Sequence, residues 1–201
     1  MDATAVVSTA LTIDLNNFIK GALNGLSDAD VTKRPTDQCN PIGWTLWHAT
    51  RVEDGIIANI SGKPQTWIEG GWHQKFDMPA DPTKSGIGDS LEQVAAFKPT
   101  VANLQGYAEA VREKTLACLN TLTPADLDRD LAPPAGGDPR KVGAWLSVIL
   151  LDHLHHSGQV CYIRGYLTGK GWFPRKPSPS HRTASRSPHL VTDDGLLEAR
   201  V

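Results

Sequence analysis

An all-α fold, a four-helix bundle with a long crossover between its second and third helices, is what this sequence predicts, and three observations predict it. Four stretches carry apolar residues at the three-to-four-residue spacing of a helix that buries one side. The segments between them are rich in proline and glycine, which stop helices. One of these connections, residues 65–88, is too long for a tight hairpin and permits the helices it joins to lie parallel.

The first helix is expected over residues 4–26, where Val6, Leu11, Ile13, Leu15, Phe18, Ile19, Leu23 and Leu26 fit a helical repeat better than an alternating one. Ser27-Asp28-Ala29-Asp30 then reads as a break, and Arg34-Pro35 and Asn40-Pro41 keep the connection irregular. The second helix opens with Pro41 at its first turn and runs over residues 42–60, with Ile42, Thr45, Ala49, Val52, Ile56 and Ile60 on one face. Ser61-Gly62-Lys63-Pro64 ends it. Ser90 with Gln93 three places later forms a capping-box pattern that opens the third helix, expected over residues 90–122 with a bend near Pro99. After the proline- and glycine-rich residues 133–139, the fourth helix is expected over residues 141–167, stopping at Gly169 or Gly171.

These elements place one bundle domain over residues 1–173 and a flexible tail rich in Pro, Ser and Arg over residues 174–201. A chain of 201 residues with 40% hydrophobic and 21% charged content is ordinary for one globular domain, which argues against disorder. No apolar run reaches the roughly 18 residues of a membrane span. The amino-terminal segment lacks the basic start of a secretory signal, so a cytoplasmic location is expected. Cys39, Cys118 and Cys161 are too few and too scattered for a disulfide framework or a cysteine metal site. A net charge of -2 gives the body no general attraction to nucleic acid, and Arg175, Lys176, Arg182 and Arg186 in the tail predict only weak, salt-sensitive contact.

Chemistry is concentrated in the fourth helix, in Asp152-His153-Leu154-His155-His156-Ser157-Gly158-Gln159. With about 100° between residues, the apolar face set by Val142, Leu146, Ile149, Val160, Ile163 and Leu167 is centred close to His156. Asp152 and His153 flank that centre, and His155 points away. Asp152 with His156 at i, i+4, or His153 with His156 at i, i+3, could each chelate a cation, and spacing does not choose between them. A third donor has to come from another helix, and His48, at the edge of the apolar face of the second helix, is the candidate. The competing reading of each inward histidine is a hydrogen-bonded core residue. His73, His181 and His189 read as solvated loop and tail residues, and Trp44 and Trp47 as packing.

Taken together, NPIGWTLWHATRVEDGI and LLDHLHHSGQVCYIRGYL resemble the second- and fourth-helix signatures of the DinB/YfiT-like superfamily. The resemblance spans about residues 5 to 173 and includes Leu-Thr-Pro-Ala-Asp-Leu-Asp at residues 122–128. It implies a four-helix bundle holding a divalent metal, zinc or nickel, on His48, Asp152 and His156. Asp152 departs from the commonest family pattern, which has histidine there. Mycothiol-dependent members use a carboxylate at that place, and His153 remains the rival ligand. Glu53 and Gln159 are expected either to orient the ligands or to stand as partly solvated helix residues. Trp44 and Trp72 are the candidate pocket aromatics; Trp72, with Trp67 and His73, either covers the open end of the bundle or simply pins the crossover loop.

Members with assigned roles include thiol-dependent S-transferases and isomerases. The resemblance therefore implies a metal-dependent transfer of a mycothiol- or bacillithiol-type thiol onto a small electrophile. Its alternatives are a metal-dependent hydrolase and a non-catalytic, metal-stabilised bundle that binds a small molecule. The expected partners are a small-molecule substrate and a low-molecular-weight thiol, with no specific nucleic acid and no membrane. A homodimer would follow the habit of the family.

Overall fold

The computed structural model describes residues 2–133 and 137–169. The expected tail over residues 174–201, with His181 and His189, lies outside the described residues. The first bundle helix is continuous but changes pitch: α1 (Ala3–Ile13) passes into a π-helical segment (Asp14–Ile19) and then α2 (Lys20–Leu23). Apolar periodicity predicts a regular helix here; the wider π turn instead leaves both Asp14 and Leu15 facing the interior. After α3 (Asp28–Thr32), whose Ser27–Asp30 capping box is formed, the second bundle helix α4 spans Ile42–Ser61. Pro41 precedes it and Gly62, in the left-handed conformation, closes it.

The crossover contains two short helices, α5 (Thr66–Glu69) and α6 (Trp72–Lys75). Where the sequence predicts one bent third helix, the structure has two: α7 (Leu91–Ala96), opened by the Ser90–Gln93 capping box, and α8 (Val101–Leu119), capped by Thr100. Pro99 is the reason, since it lacks an N–H to donate and drives the residue before it out of the helical region. Its ring also fills the space beside Gly43, where a Cβ would lie 2.7 Å from Pro99 Cγ. Beyond α9 (Pro124–Leu127) stands a two-residue antiparallel pair that the sequence does not predict, β1 (Asp130–Leu131) with β2 (Arg140–Lys141), and it takes Lys141, expected to open the fourth helix. The fourth bundle helix, α10, spans Val142–Thr168.

The core shows how the bundle helices run. Leu46 and Trp47 in the first half of α4 share an apolar cluster with Leu104 and Tyr107 in the first half of α8, and with Val160 and Ile163 in the second half of α10. Ile57 and Ile60, late in α4, share the other cluster with Leu119, late in α8, and with Leu146 and Ile149, early in α10. Thus α4 and α8 are parallel, joined by the crossover, and α1 and α10 run opposite to them.

Between the two apolar clusters every bundle helix contributes buried polar side chains: Asp14, Glu53, Arg112, Thr115, His153 and Ser157. Arg112 donates from Nε to Glu53 Oε1 at 2.9 Å and from Nη2 to Glu53 Oε2 at 3.0 Å, and it lies 3.5 Å from Asp14 Oδ2. Thr115 donates to Glu53 Oε1 at 2.6 Å and Ser157 to Asp14 Oδ1 at 2.5 Å. Among the described residues, no helix is long and apolar enough to cross a membrane.

Candidate metal centre

His48 sits midway in the first half of α4, and Asp152 and His156 lie one turn apart on α10, the helix packed against it. His156 Nε2 is 3.4 Å and His48 Nε2 is 4.0 Å from Asp152 Oδ1. One donor atom from each residue lies within 4.8 Å of the other two. The two imidazoles meet edge to face, with ring centres 4.9 Å apart.

The outer hydrogen bonds fix which nitrogen of each ring faces the cluster. His48 Nδ1 is 2.6 Å from the carbonyl oxygen of Ser85, which can only accept, so the proton is on Nδ1 and a neutral ring has its lone pair on Nε2. His156 Nδ1 meets Gln159 Oε1 at 2.9 Å, with the same consequence. Asp152 Oδ2 is buried and has no hydrogen-bond partner among the described residues. Two ring lone pairs and a carboxylate therefore converge on one space. A buried anionic oxygen without a partner is costly, so the space suits a proton or a cation. The hydrogen bond to Asp152 accordingly holds the His156 imidazole above the ordinary histidine range. A pair of imidazoles and one carboxylate is an ordinary donor set for a divalent transition metal, and the outer contacts on both rings are those expected of metal-binding histidines.

His153, the rival to Asp152, is turned elsewhere. It is buried at 3% exposure, with Nδ1 3.0 Å from Asp14 Oδ2 and Nε2 2.8 Å from Glu53 Oε2. The Nε2 contact is close but poorly aligned as a hydrogen bond, so it acts mainly through charge. Burial works against protonation of this ring, but the Glu53 carboxylate and the bond to Asp14 outweigh it and raise its pKa to about 9. A doubly protonated imidazole has no lone pair for a metal. Burial also re-centres α10: with Ile149, His153, Ser157 and Val160 all inward, the face is centred near His153, about 25° from where apolar residues alone put it and further from His156. His155 is exposed.

Glu53, expected to orient a ligand, instead spends its carboxylate on Arg112, Thr115 and His153; these partners, Arg112 foremost, hold it well below the usual carboxylate range against the opposing effect of burial. Gln159 does lie on His156. Trp44 stacks on His48, with centres 5.1 Å apart and planes 9° from parallel. Trp72 has Phe76 and Tyr107 as its ring neighbours among the described residues, in the aromatic layer of the crossover. Trp67 is fully buried there, and His73 Nδ1 meets its carbonyl at 3.1 Å. Ser85 is the residue that sequence reasoning misses, because its contribution is a backbone carbonyl and carries no side-chain signal.

Fold and site together define a helix bundle with a His/Asp donor cluster set between two of its helices. The sequence profile of the DinB superfamily matches residues 19–160, and the chain belongs to that superfamily, which is generally metal-binding. A crystal structure of a conserved protein from Enterococcus faecalis is similar, with a TM-score of 0.74 and 23% identity, over 85% of this chain and 99% of that one. At that identity the likeness shows the fold. No curated protein matches.

Proposed function

We propose that this protein is a divalent-metal-dependent enzyme whose ion is held by His48, Asp152 and His156, and that it transfers a low-molecular-weight thiol onto a small electrophile. The observation that carries the reading is the convergence of two Nε2 lone pairs, each fixed by a bond at Nδ1, on a carboxylate whose buried Oδ2 has no partner among the described residues. Two nitrogens and one oxygen suit zinc or nickel, and three protein donors leave room for an exogenous ligand. A bound ion of this kind supplies a positive charge that lowers the pKa of a thiol or water coordinated to it.

The chain's own residues supply the frame. The Ser85 carbonyl and Gln159 hold the two rings, Asp152 contributes a negative charge facing the ion, and the Trp44 face keeps one side of His48 dry. The thiol as cosubstrate is supported by the resemblance of the helix signatures and by the carboxylate at position 152.

Elemental analysis and titration of the purified protein, with His48→Ala, Asp152→Ala, His156→Ala and His153→Gln, test the site. Near-stoichiometric zinc or nickel, lost in the first three variants and kept in His153→Gln, is expected. Wild-type protein that takes up neither metal would overturn the reading. Thiol-dependent loss of an electrophile, with no loss when thiol is omitted, is the expected turnover. Thiol-independent loss would mark a hydrolase, and metal binding with neither would mark a non-catalytic bundle.

A further inference from the structure

We infer that Arg51 and the crossover residues 82–86 form a clamp that sets the tautomer of His48 and holds its Nε2 toward Asp152 and His156. Arg51 follows His48 by three residues on α4 and is 2% exposed. All five N–H groups of its guanidinium have acceptors. Nε donates to Lys84 O at 2.9 Å; Nη2 donates to Pro82 O at 3.1 Å and Gln65 Oε1 at 2.8 Å; Nη1 donates to Asp54 Oδ2 at 3.3 Å and Tyr107 Oη at 3.1 Å. Two of the five are carbonyls of the crossover, and one of those belongs to the residue just before Ser85. The planar fork holds the two carbonyls on separate nitrogens in one fixed geometry, which the single nitrogen of a lysine ammonium does not reproduce.

The other side of Ser85 is pinned by a different means. Gly86 has φ +92°, and a Cβ there would lie 2.7 Å from Trp44 and 2.9 Å from Trp47. The backbone therefore lies flat against two indoles, and the Trp44 ring that receives it is the one stacked on His48. Asp89 ties the same parts together, accepting from Trp44 Nε1 at 3.1 Å and pairing with Lys84 Nζ. The Ser85 carbonyl is thus held at His48 Nδ1 between two fixed neighbours. The groups involved come from α4, α8 and the crossover, so the loop acts as part of the site.

Arg51 and Gly86 are positioning residues: neither touches the three donors' inward atoms. Their role rests on the metal reading only for the affinity measurement, because the tautomer of His48 is readable without metal. The test compares wild type with Arg51→Lys, Gly86→Ala and, as a control, Gly88→Ala. Gly88 has a similar backbone, φ +82°, and nothing among the described residues within 4 Å of a Cβ, so it carries the strain without the indole contact. Long-range proton–nitrogen correlation of the metal-free protein reports the His48 tautomer, cobalt or zinc titration reports affinity, and circular dichroism reports folding.

Wild type and Gly88→Ala are expected to show one His48 tautomer with the proton on Nδ1. Gly86→Ala and Arg51→Lys, while folded, are expected to show a tautomer mixture and an affinity about 10- to 100-fold lower. An unchanged tautomer and affinity in folded Gly86→Ala would overturn the clamp, whether or not Arg51→Lys folds. A tautomer shift in Gly86→Ala, with wild type binding no metal, would uphold the clamp and remove the metal reading instead.

Discussion

Replacing His153 by leucine removes one of four charges that balance in the middle of the bundle. Asp14 and Glu53 are negative there, Arg112 positive, and His153, with its pKa raised to about 9, carries the second positive charge at neutral pH. The magnitude follows in two ways. A native pKa of about 9 against 6.5 for the free side chain corresponds to about 3 kcal/mol of stabilisation at low pH. Breaking a buried ion pair from one side costs about 3–5 kcal/mol, because the remaining charge is left uncompensated. The expected loss is therefore about 3–5 kcal/mol, seen as a fall in thermal midpoint of roughly 10 °C for a domain of this size.

The sign of the pH dependence is fixed as well. A group with a raised native pKa stabilises fully below its unfolded pKa of 6.5, and that contribution is lost as pH rises through about 9. Urea unfolding of chelator-treated wild type and His153→Leu at pH 6, 7.5 and 9.5 measures it. The gap between the two proteins should narrow steadily over that range. A loss under about 1 kcal/mol at pH 6, or a gap that widens with pH, would show that His153 is not the buried cation described here.

Three further outcomes are expected. Adding zinc at a hundred times its dissociation constant should stabilise wild type by about 2.7 kcal/mol, and His48→Ala by none of it, read from thermal melts. Because Asp152 raises the His156 pKa above 6.5, protons should begin to displace metal at a higher pH than an ordinary histidine would allow, and titrations from pH 8 to 5 should show affinity falling across that range. Gly43→Ala should destabilise by about 1–3 kcal/mol, since its Cβ would meet Pro99 Cγ at 2.7 Å and Val31 O at 3.0 Å; an unchanged urea midpoint would mean that the α7–α8 break yields without cost.

The sequence made the fold legible where apolar spacing and helix stops agree. Pro41 and Gly62 bound α4 within a residue of expectation, and the long crossover gives the parallel α4 and α8. His48, Asp152 and His156 are brought together. What periodicity could not show is where polar residues turn inward. Counting only apolar residues on α10 placed the buried face on His156, whereas His153 and Ser157 lie inside because Asp14, Glu53 and Arg112 meet them from three other helices. Those partners lie up to 143 residues away in sequence. The π turn at Asp14 was hidden for the same reason: it places a charge inward, where an apolar pattern has no entry.

The polar layer between the two apolar clusters also serves as an index mark along the bundle axis. Apolar side chains are forgiving of a helix that slides by a turn, about 5.4 Å, because another leucine or isoleucine takes the vacated place. Charges are not. Moving α10 by one turn would set Ile149 against Glu53 and Arg112 in one direction, or in the other carry His153 to the place of Ile149, among aliphatic neighbours. Asp152 is next to His153, and His156 one turn on, so their height relative to His48 is inherited from that mark. Exchanging the whole layer for well-packed apolar residues could yield a bundle as stable as this one. It would remove what tells α10 where to stop, and the three donors would no longer be held at one level.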